Sequence, residues 1–280
     1  MERLREPDRN LHKGGRSFYF FDFDDNIAFI TTPIFLFHGE TGSEIQLSSR
    51  EFAQQSRYIG KQGPYAEYVL NHDPGAGSFR YFRDQDLNWL EKLLGRRQMF
   101  VNDLAAALGV PDIHWKGPSW NCFYHAVFNE RPLALITARG HHPETIKAGI
   151  RLWASEGHLP CEPNYLEIYP VNHPDTKQIL GLPQENDVAL LKQKAIRAAV
   201  LKAIHLYGDN PHHRFGMSDD DPRNIEWILK EMQELKREFK EMSFFIIQTH
   251  GDQMIKHEVF PDHVEDRVLL ATGQLSLFDE

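Results

Sequence analysis

Ser17-Phe18-Tyr19-Phe20-Phe21-Asp22-Phe23-Asp24-Asp25-Asn26 is the stretch that decides the fold. Four aromatic residues follow Ser17 without a charge, and the chain then meets three acids in four positions. An uninterrupted bulky run suits a strand covered on both faces, so the segment reads as an interior strand that ends at Asp22. The pattern recurs downstream. Pro132–Ile136 is a short buried-strand pattern that ends at Thr137, and Tyr165–Tyr169 is another. His213–Met217 runs straight into Ser218-Asp219-Asp220-Asp221-Pro222, and Ser243–Ile247 is a last strand. Helical spacing fills the gaps. Pro143–Trp153 carries proline in its first turn, Asp187–Leu206 has Ile196, Val200 and Ile204 at four-residue intervals, and Ile225–Met242 is charged and amphipathic. Strands that alternate with helices of this length predict an α/β fold, a Rossmann-like three-layer α/β/α core with a mostly parallel sheet.

Residues 28–129 break the alternation. Ile30–His38 and Glu44–Leu47 flank a Gly-containing loop and predict a β-hairpin. Ser48 and Glu51 have capping-box spacing, which predicts a helix start. Residues 60–80 are rich in Gly, Pro and Asn and read as loop, while Asp84–Leu94 and Val101–Leu108 have helical apolar spacing. The expected organisation is a discontinuous core over 1–27 and 130–260, an inserted module over 28–129 and a polar tail over 261–280. No further sheet element is expected after Pro261.

The chain has 280 residues, enough to bury a sizeable core. Hydrophobic residues are 41% and charged residues 25%, which excludes a wholly disordered chain. Lys and Arg number 31 against 40 Asp and Glu, for a net charge of −9, which argues against a broad surface for wrapping nucleic acid. Two cysteines, Cys122 and Cys161, form neither a disulfide framework nor a four-thiolate zinc site; they read as inert thiols, with a reducing cytoplasm as the expected location. The charged start Met1–Glu6 is no signal peptide, and acids interrupt the longest apolar run, around Phe18–Phe37, so no membrane span is expected. The histidine pairs His141-His142 and His212-His213 lack ligand spacing and read as surface or strand-end residues.

Sites in such sheets form at the carboxyl ends of the strands, where Asp22, Asp24, Thr137, Asp219 and Asp220 all fall. Alternate residues of an extended segment point the same way, so Asp22 and Asp24 can face one pocket. Clustered carboxylates call for a neutralising cation, and oxygen ligands favour Mg²⁺. One carboxylate can accept a phosphoryl group, a second can move the proton, and a lysine with the cation can steady the charge.

Phe20-Phe21-Asp22-Phe23-Asp24-Asp25-Asn26, Leu135-Ile136-Thr137-Ala138-Arg139-Gly140 and Phe215-Gly216-Met217-Ser218-Asp219-Asp220-Asp221 together resemble, in that order, motifs of the haloacid dehalogenase-like (HAD) hydrolase superfamily. The resemblance covers roughly 17–27 and 130–250. It implies that Asp22 is the nucleophile, Asp24 the general acid/base and Thr137 a phosphoryl binder. It also implies that Mg²⁺ is held by Asp22, the backbone carbonyl of Asp24, Asp219 and Asp220. The family's lysine is assigned to Lys192, with Lys194 as close competitor and Lys177 as a distant third; Asp221 competes with its two neighbours for the metal. Asn26 departs from the usual Thr or Val. Asp24 favours phosphoryl over haloalkyl chemistry, because dehalogenating members usually lack that second acid. An insertion between the first and second motifs is a cap in this family, which makes Tyr58, Tyr65, Tyr68, Arg80, Tyr81 and Arg83 candidate substrate contacts, along with Arg139. The implied activity is a phosphatase, with a phosphomutase or phosphotransferase as alternative.

The tail ends Gln274-Leu275-Ser276-Leu277-Phe278-Asp279-Glu280. Gln274, Leu275, Leu277 and Phe278 resemble the pentapeptide by which bacterial proteins dock on the DNA sliding clamp. That suggests a link to DNA metabolism, or an adaptor that works through its tail alone. Packing of the same residues on this protein is the competing reading.

Overall fold

A computed structural model describes residues 4–250 and 253–270, so Gln274, Leu275, Leu277 and Phe278 lie outside the described residues. In chain order the elements are β1 (Ser17–Phe21), β2 (Ile34–His38), β3 (Glu44–Leu47), α1 (Ser49–Gln55), β4 (Tyr68–Val69), α2 (Trp89–Leu93), α3 (Met99–Ala107), α4 (Asp112–Trp115), α5 (Trp120–Phe128), β5 (Leu133–Thr137), α6 (Pro143–Ser155), β6 (Tyr165–Pro170), α7 (Pro174–Ile179), α8 (Val188–Tyr207), β7 (Arg214–Asp219), α9 (Pro222–Glu238), β8 (Ser243–His250), β9 (Gln253–Val259) and β10 (Val264–Leu270).

The aromatic run is the middle of a seven-stranded sheet of order β10-β9-β8-β7-β1-β5-β6. The five strands from β6 to β8 are parallel, and β9 and β10 add an antiparallel edge. Every residue of β1 is buried, and its side chains alternate between two cores. Tyr19 and Phe21 join Phe100, Trp120, Phe123 and Trp153 on one face. Phe18 and Phe20 join Ile196, Val200, Ile228 and Met232 of α8 and α9 on the other. Burial stabilises by about 1.5–3 kcal/mol per such side chain, which makes β1 costly to perturb. The result is a mixed α/β structure compatible with a Rossmann-like fold.

The expected hairpin forms as β2 and β3, and Ser48 and Glu51 make the capping box that starts α1. With β4 they build a separate three-stranded sheet. Residues 28–129 divide in two, however. Their first part carries that small sheet, whereas Phe100, Leu104, Trp115, Trp120 and Phe123 complete the core beneath β1. A Cβ on Gly149 of α6 would lie 2.6 Å from Leu104 Cδ1 and 2.7 Å from Phe100 Cε1, so the glycine is what lets α3 approach α6.

Three expectations need correction. A sheet element does follow Pro261: β10 pairs with β9 from Val264 to Leu270 by backbone hydrogen bonds, which need no apolar run. The helix over 84–94 contracts to α2, because the Asp84 carboxylate instead accepts hydrogen bonds from His142 N and Thr145 Oγ1. His141 and His213 are fully buried rather than superficial. Cys122 is buried and Cys161 half-buried, and the two form no disulfide. No helix among the described residues is long and apolar enough to cross a membrane.

Candidate active site

Asp22 stands one residue past β1, tied to its neighbour strand by Asp22 N–H donating to Ser218 O at 2.9 Å. The chain then turns sharply. Ile27 N and Ala28 N both donate to Phe23 O, and Asp25 takes a left-handed φ of 57°, which Asp tolerates better than most residues. Asn26 locks the turn. Its Nδ2 donates to Asp22 O at 3.2 Å and Ser218 O at 3.0 Å, while its Oδ1 accepts from Ser119, Ser218 and Thr249 hydroxyls at 2.8, 3.1 and 3.1 Å. A threonine or valine could not make this set. Gly117 passes so close that a Cβ there would lie 2.3 Å from Asn26 O.

Lys192, on α8, is buried between the ends of β1 and β7. Its Nζ lies 3.0 Å from Asp22 Oδ2 and donates to Asp219 Oδ2 at 2.8 Å. Lys194 is exposed on the same helix, and Lys177 Nζ donates to Asn186 Oδ1. Asp219 is fully buried and also accepts from Asn224 Nδ2 and Asp221 N. Asn224, which the sequence reading missed, lies five residues after Asp219, one turn into α9. Asp221 caps α9 by accepting from Arg223 N and pairs with the Arg223 guanidinium.

Ligand oxygens of Asp22, Asp219 and Asp220 all lie within 4.8 Å of one another. Burial raises the Asp22 pKa well above the usual carboxylate range; Lys192 opposes this, and the charges of Asp219, Asp220 and Asp24 add to it. Asp220 is pushed up to about 7, first by burial and then by Asp219. Burial pulls Lys192 down, but Asp219 and Asp22 outweigh it, and the ammonium is held more firmly than usual. Three carboxylates against one ammonium leave two negative charges, and a divalent cation with oxygen ligands is the species that cancels them. By charge and donor type the residues fit Mg²⁺.

Asp24 is placed differently from expectation. Its carboxylate is gripped by Arg139, with Nη2 2.6 Å from Oδ1 and Nε 2.9 Å from Oδ2. Arg139 has no exposed surface, so it is not a free arm for substrate. A planar guanidinium facing a carboxylate satisfies both groups at once, and sequence spacing does not reveal such a pairing. Arg139 Nη2 also donates to Thr32 Oγ1 at 2.9 Å, and Thr32 donates to Asp103. The guanidinium carbon lies 4.6 Å from the Phe82 ring centre and 4.8 Å from that of Phe100. Burial raises the Asp103 pKa, against the Thr32 hydrogen bond and the Arg139 charge.

Thr137 ends β5 and is fully buried. Its Oγ1 accepts from Arg139 N at 3.3 Å, which leaves the hydroxyl hydrogen to donate elsewhere. Of the other insert candidates, Arg80 bonds Glu44 and covers Phe35, Tyr81 packs on Phe35, Tyr65 on Tyr68, and Tyr58 lies under Arg57. The cluster Asp22, Lys192, Asp219 and Asp220 thus spans β1 and β7, with Thr137 on β5 and Asp24 held to one side. No protein-family model, curated protein or solved structure matches the chain.

Proposed function

We propose that the chain is a Mg²⁺-dependent phosphohydrolase of HAD type that acts on a phosphomonoester through an aspartyl-phosphate. The observation that carries this reading is Lys192 Nζ between Asp22 and Asp219 at 3.0 and 2.8 Å, beside Asp220, at the carboxyl ends of neighbouring parallel strands. The strand order β8-β7-β1-β5-β6 supports it by giving each motif its own strand end around Asp22. When bound, Mg²⁺ supplies the charge that lets an anionic phosphoryl group approach an anionic carboxylate.

The chain's own groups then divide the work. Lys192 faces Asp22 Oδ2, which leaves Oδ1 as the attacking oxygen. The new Oδ1–P bond forms as the bond from phosphorus to the leaving oxygen breaks. Lys192 holds Asp22 in position and opposes the charge on the phosphoryl oxygens, and the Thr137 hydroxyl donates to one of them. Asp24 gives the leaving oxygen its proton and afterwards takes one from water, so the acyl phosphate is hydrolysed and Asp22 regenerated. Asp24 needs one oxygen released from the Arg139 fork to do this.

The test is phosphate release from p-nitrophenyl phosphate with Mg²⁺ and with EDTA, by wild type and Asp22→Asn. Mg²⁺-dependent release that Asp22→Asn loses supports the reading, and undiminished release by the variant overturns it. A phosphotransferase would transfer the group to an added acceptor with little net release.

A further inference from the structure

Beside the phosphoryl site lies a group of cations that the proposed mechanism does not use. Arg83 is half-buried yet forms no hydrogen bond or ion pair among the described residues, in contrast to Arg80 with Glu44 and Arg139 with Asp24. The backbone sets its place. Arg83 bridges to Gly140, and Gly140 N donates to Phe82 O at 2.7 Å. Gly140 in turn abuts Asn172, whose N donates to Arg139 O. His173 follows as the cap of α7, and Lys177 lies one turn on, with its N donating to His173 O. The backbone therefore places Arg83, His141, His173 and Lys177 about the carboxyl ends of β5 and β6, near Thr137 and within range of one another's charge.

Among the described residues no carboxylate hydrogen-bonds Arg83 or Lys177, although Asp73 and Glu185 act on them through space. Lys177 Nζ donates to the neutral Asn186 Oδ1 at 3.0 Å. Asp84 Oδ2 accepts from His142 N and Thr145 Oγ1 while its buried Oδ1 has no partner among the described residues, and Glu185 Oε1 accepts from the N–H groups of Asn186 and Asp187. Asp73 is engaged by Gly75 and Ala76 N–H, and Asp175 is mostly exposed, 4.0 Å from His173. The cations repel one another. Burial and then the Arg83 charge weaken the hold of Lys177 on its proton. His141 is driven neutral by burial, then by Arg139, Arg83 and His173.

A second observation is independent of that crowding. His141 has no exposed surface, and neither ring nitrogen has a hydrogen-bond partner among the described residues. A buried polar group left without a partner is destabilising, so a ring placed among cations in that state is one that a ligand oxygen completes. Neutral imidazole donates one N–H, and Arg83 and Lys177 supply charge, which is the chemistry of phosphate recognition. Neighbouring strands lie about 4.8 Å apart, so this second site is one to two strand widths, roughly 5–10 Å, from the first.

We propose that Arg83, His141, His173 and Lys177 form a second anion site, and that the substrate accordingly carries a second phosphate beside the one attacked by Asp22. The proposal rests on the phosphohydrolase reading for its account of substrate, but not for the site itself. A nucleoside bisphosphate and a phosphate-terminated dinucleotide both present the required pair of phosphates.

The test compares wild type with Arg83→Gln, Lys177→Gln, the double variant and Arg83→Lys in the full chain. The substrates are p-nitrophenyl phosphate, a nucleoside 3′,5′-bisphosphate and a 5′-phosphorylated dinucleotide. The expected result is that the ratio of kcat/KM for a two-phosphate substrate to that for p-nitrophenyl phosphate falls at least tenfold in the double variant. Arg83→Lys should keep most of it, and the substrate that loses more identifies the source of the second phosphate. An unchanged ratio for both substrates overturns the proposal. If wild type releases phosphate from nothing, the phosphohydrolase reading fails and calorimetric binding of pyrophosphate decides the site alone. At least tenfold weaker binding by the double variant, at wild-type melting temperature, supports it, and equal affinity overturns it.

Discussion

Asp220→Asn tests the charge balance of the site through stability, with no assumption about substrate. The Asp220 pKa is pushed from 3.8 up to about 7, chiefly by burial and then by the Asp219 charge. A carboxyl whose folded-state value is raised contributes stability that is complete below its unfolded value, near 4. That contribution is lost as pH rises through the folded value, near 7. At pH 8 a displacement of this size corresponds to about 4 kcal/mol against the folded state. The side chain is half-exposed and shares its neighbours' titration, so a single substitution should recover a smaller part, about 1–2 kcal/mol. Asparagine keeps the shape and cannot ionise. In EDTA at pH 8 the variant should therefore melt a few degrees above wild type, and the gap should shrink by roughly half as the pH falls to 5. Millimolar Mg²⁺ should raise the wild-type melting temperature more than the variant's, because a bound cation stabilises the state that holds it. Calorimetric melts from pH 5 to 8.5, with EDTA and with Mg²⁺, measure all three effects. A gap independent of pH, or a variant less stable than wild type at pH 8 in EDTA, would refute the reasoning.

Asp22→Asn should lower phosphate release by about a thousandfold or more while leaving the circular-dichroism spectrum unchanged, as expected for loss of a nucleophile. Asn26→Ala should destabilise by about 2–4 kcal/mol in urea titration, because it leaves three hydroxyls and two carbonyls with fewer partners. Arg139→Gln frees Asp24 from its fork and should change the pH profile of kcat more than KM; a profile identical to wild type would remove Arg139 from any positioning role. Leu277→Ala with Phe278→Ala should abolish capture by a bacterial sliding clamp, and unchanged pull-down would sink the tail reading.

How much was legible in sequence depended on whether the information was local. Ser17–Phe21 and the acids after it could be read directly, because a strand buried on both faces must be apolar throughout and its end must be polar. The place of Lys192 was legible as an expectation from its helix context, although only the geometry separates it from Lys194, which faces outward two residues on. The partners of Asp24 and Asn26 were not legible. Arg139 lies 115 residues from Asp24, and Ser218 and Thr249 are farther still from Asn26. α5 was missed because Trp120, Cys122, Phe123, His125, Ala126 and Val127 are buried nearly all round, which erases the polar stripe that marks a surface helix. β9 and β10 were missed because an antiparallel edge is specified by backbone pairing, and its residues include Lys256, His257 and Glu258.

The join at Phe82 and Arg83 has a mechanical consequence. Phe82 lends its carbonyl to Gly140 N and its ring to Arg139, while Arg83 bridges to Gly140. An outward swing of the small sheet that carries residues 80–84 with it has to pull on the loop after β5, where Thr137 and Arg139 sit. Displacement of the small sheet would then shift Thr137, Arg139 and, through the guanidinium fork, Asp24 as one unit.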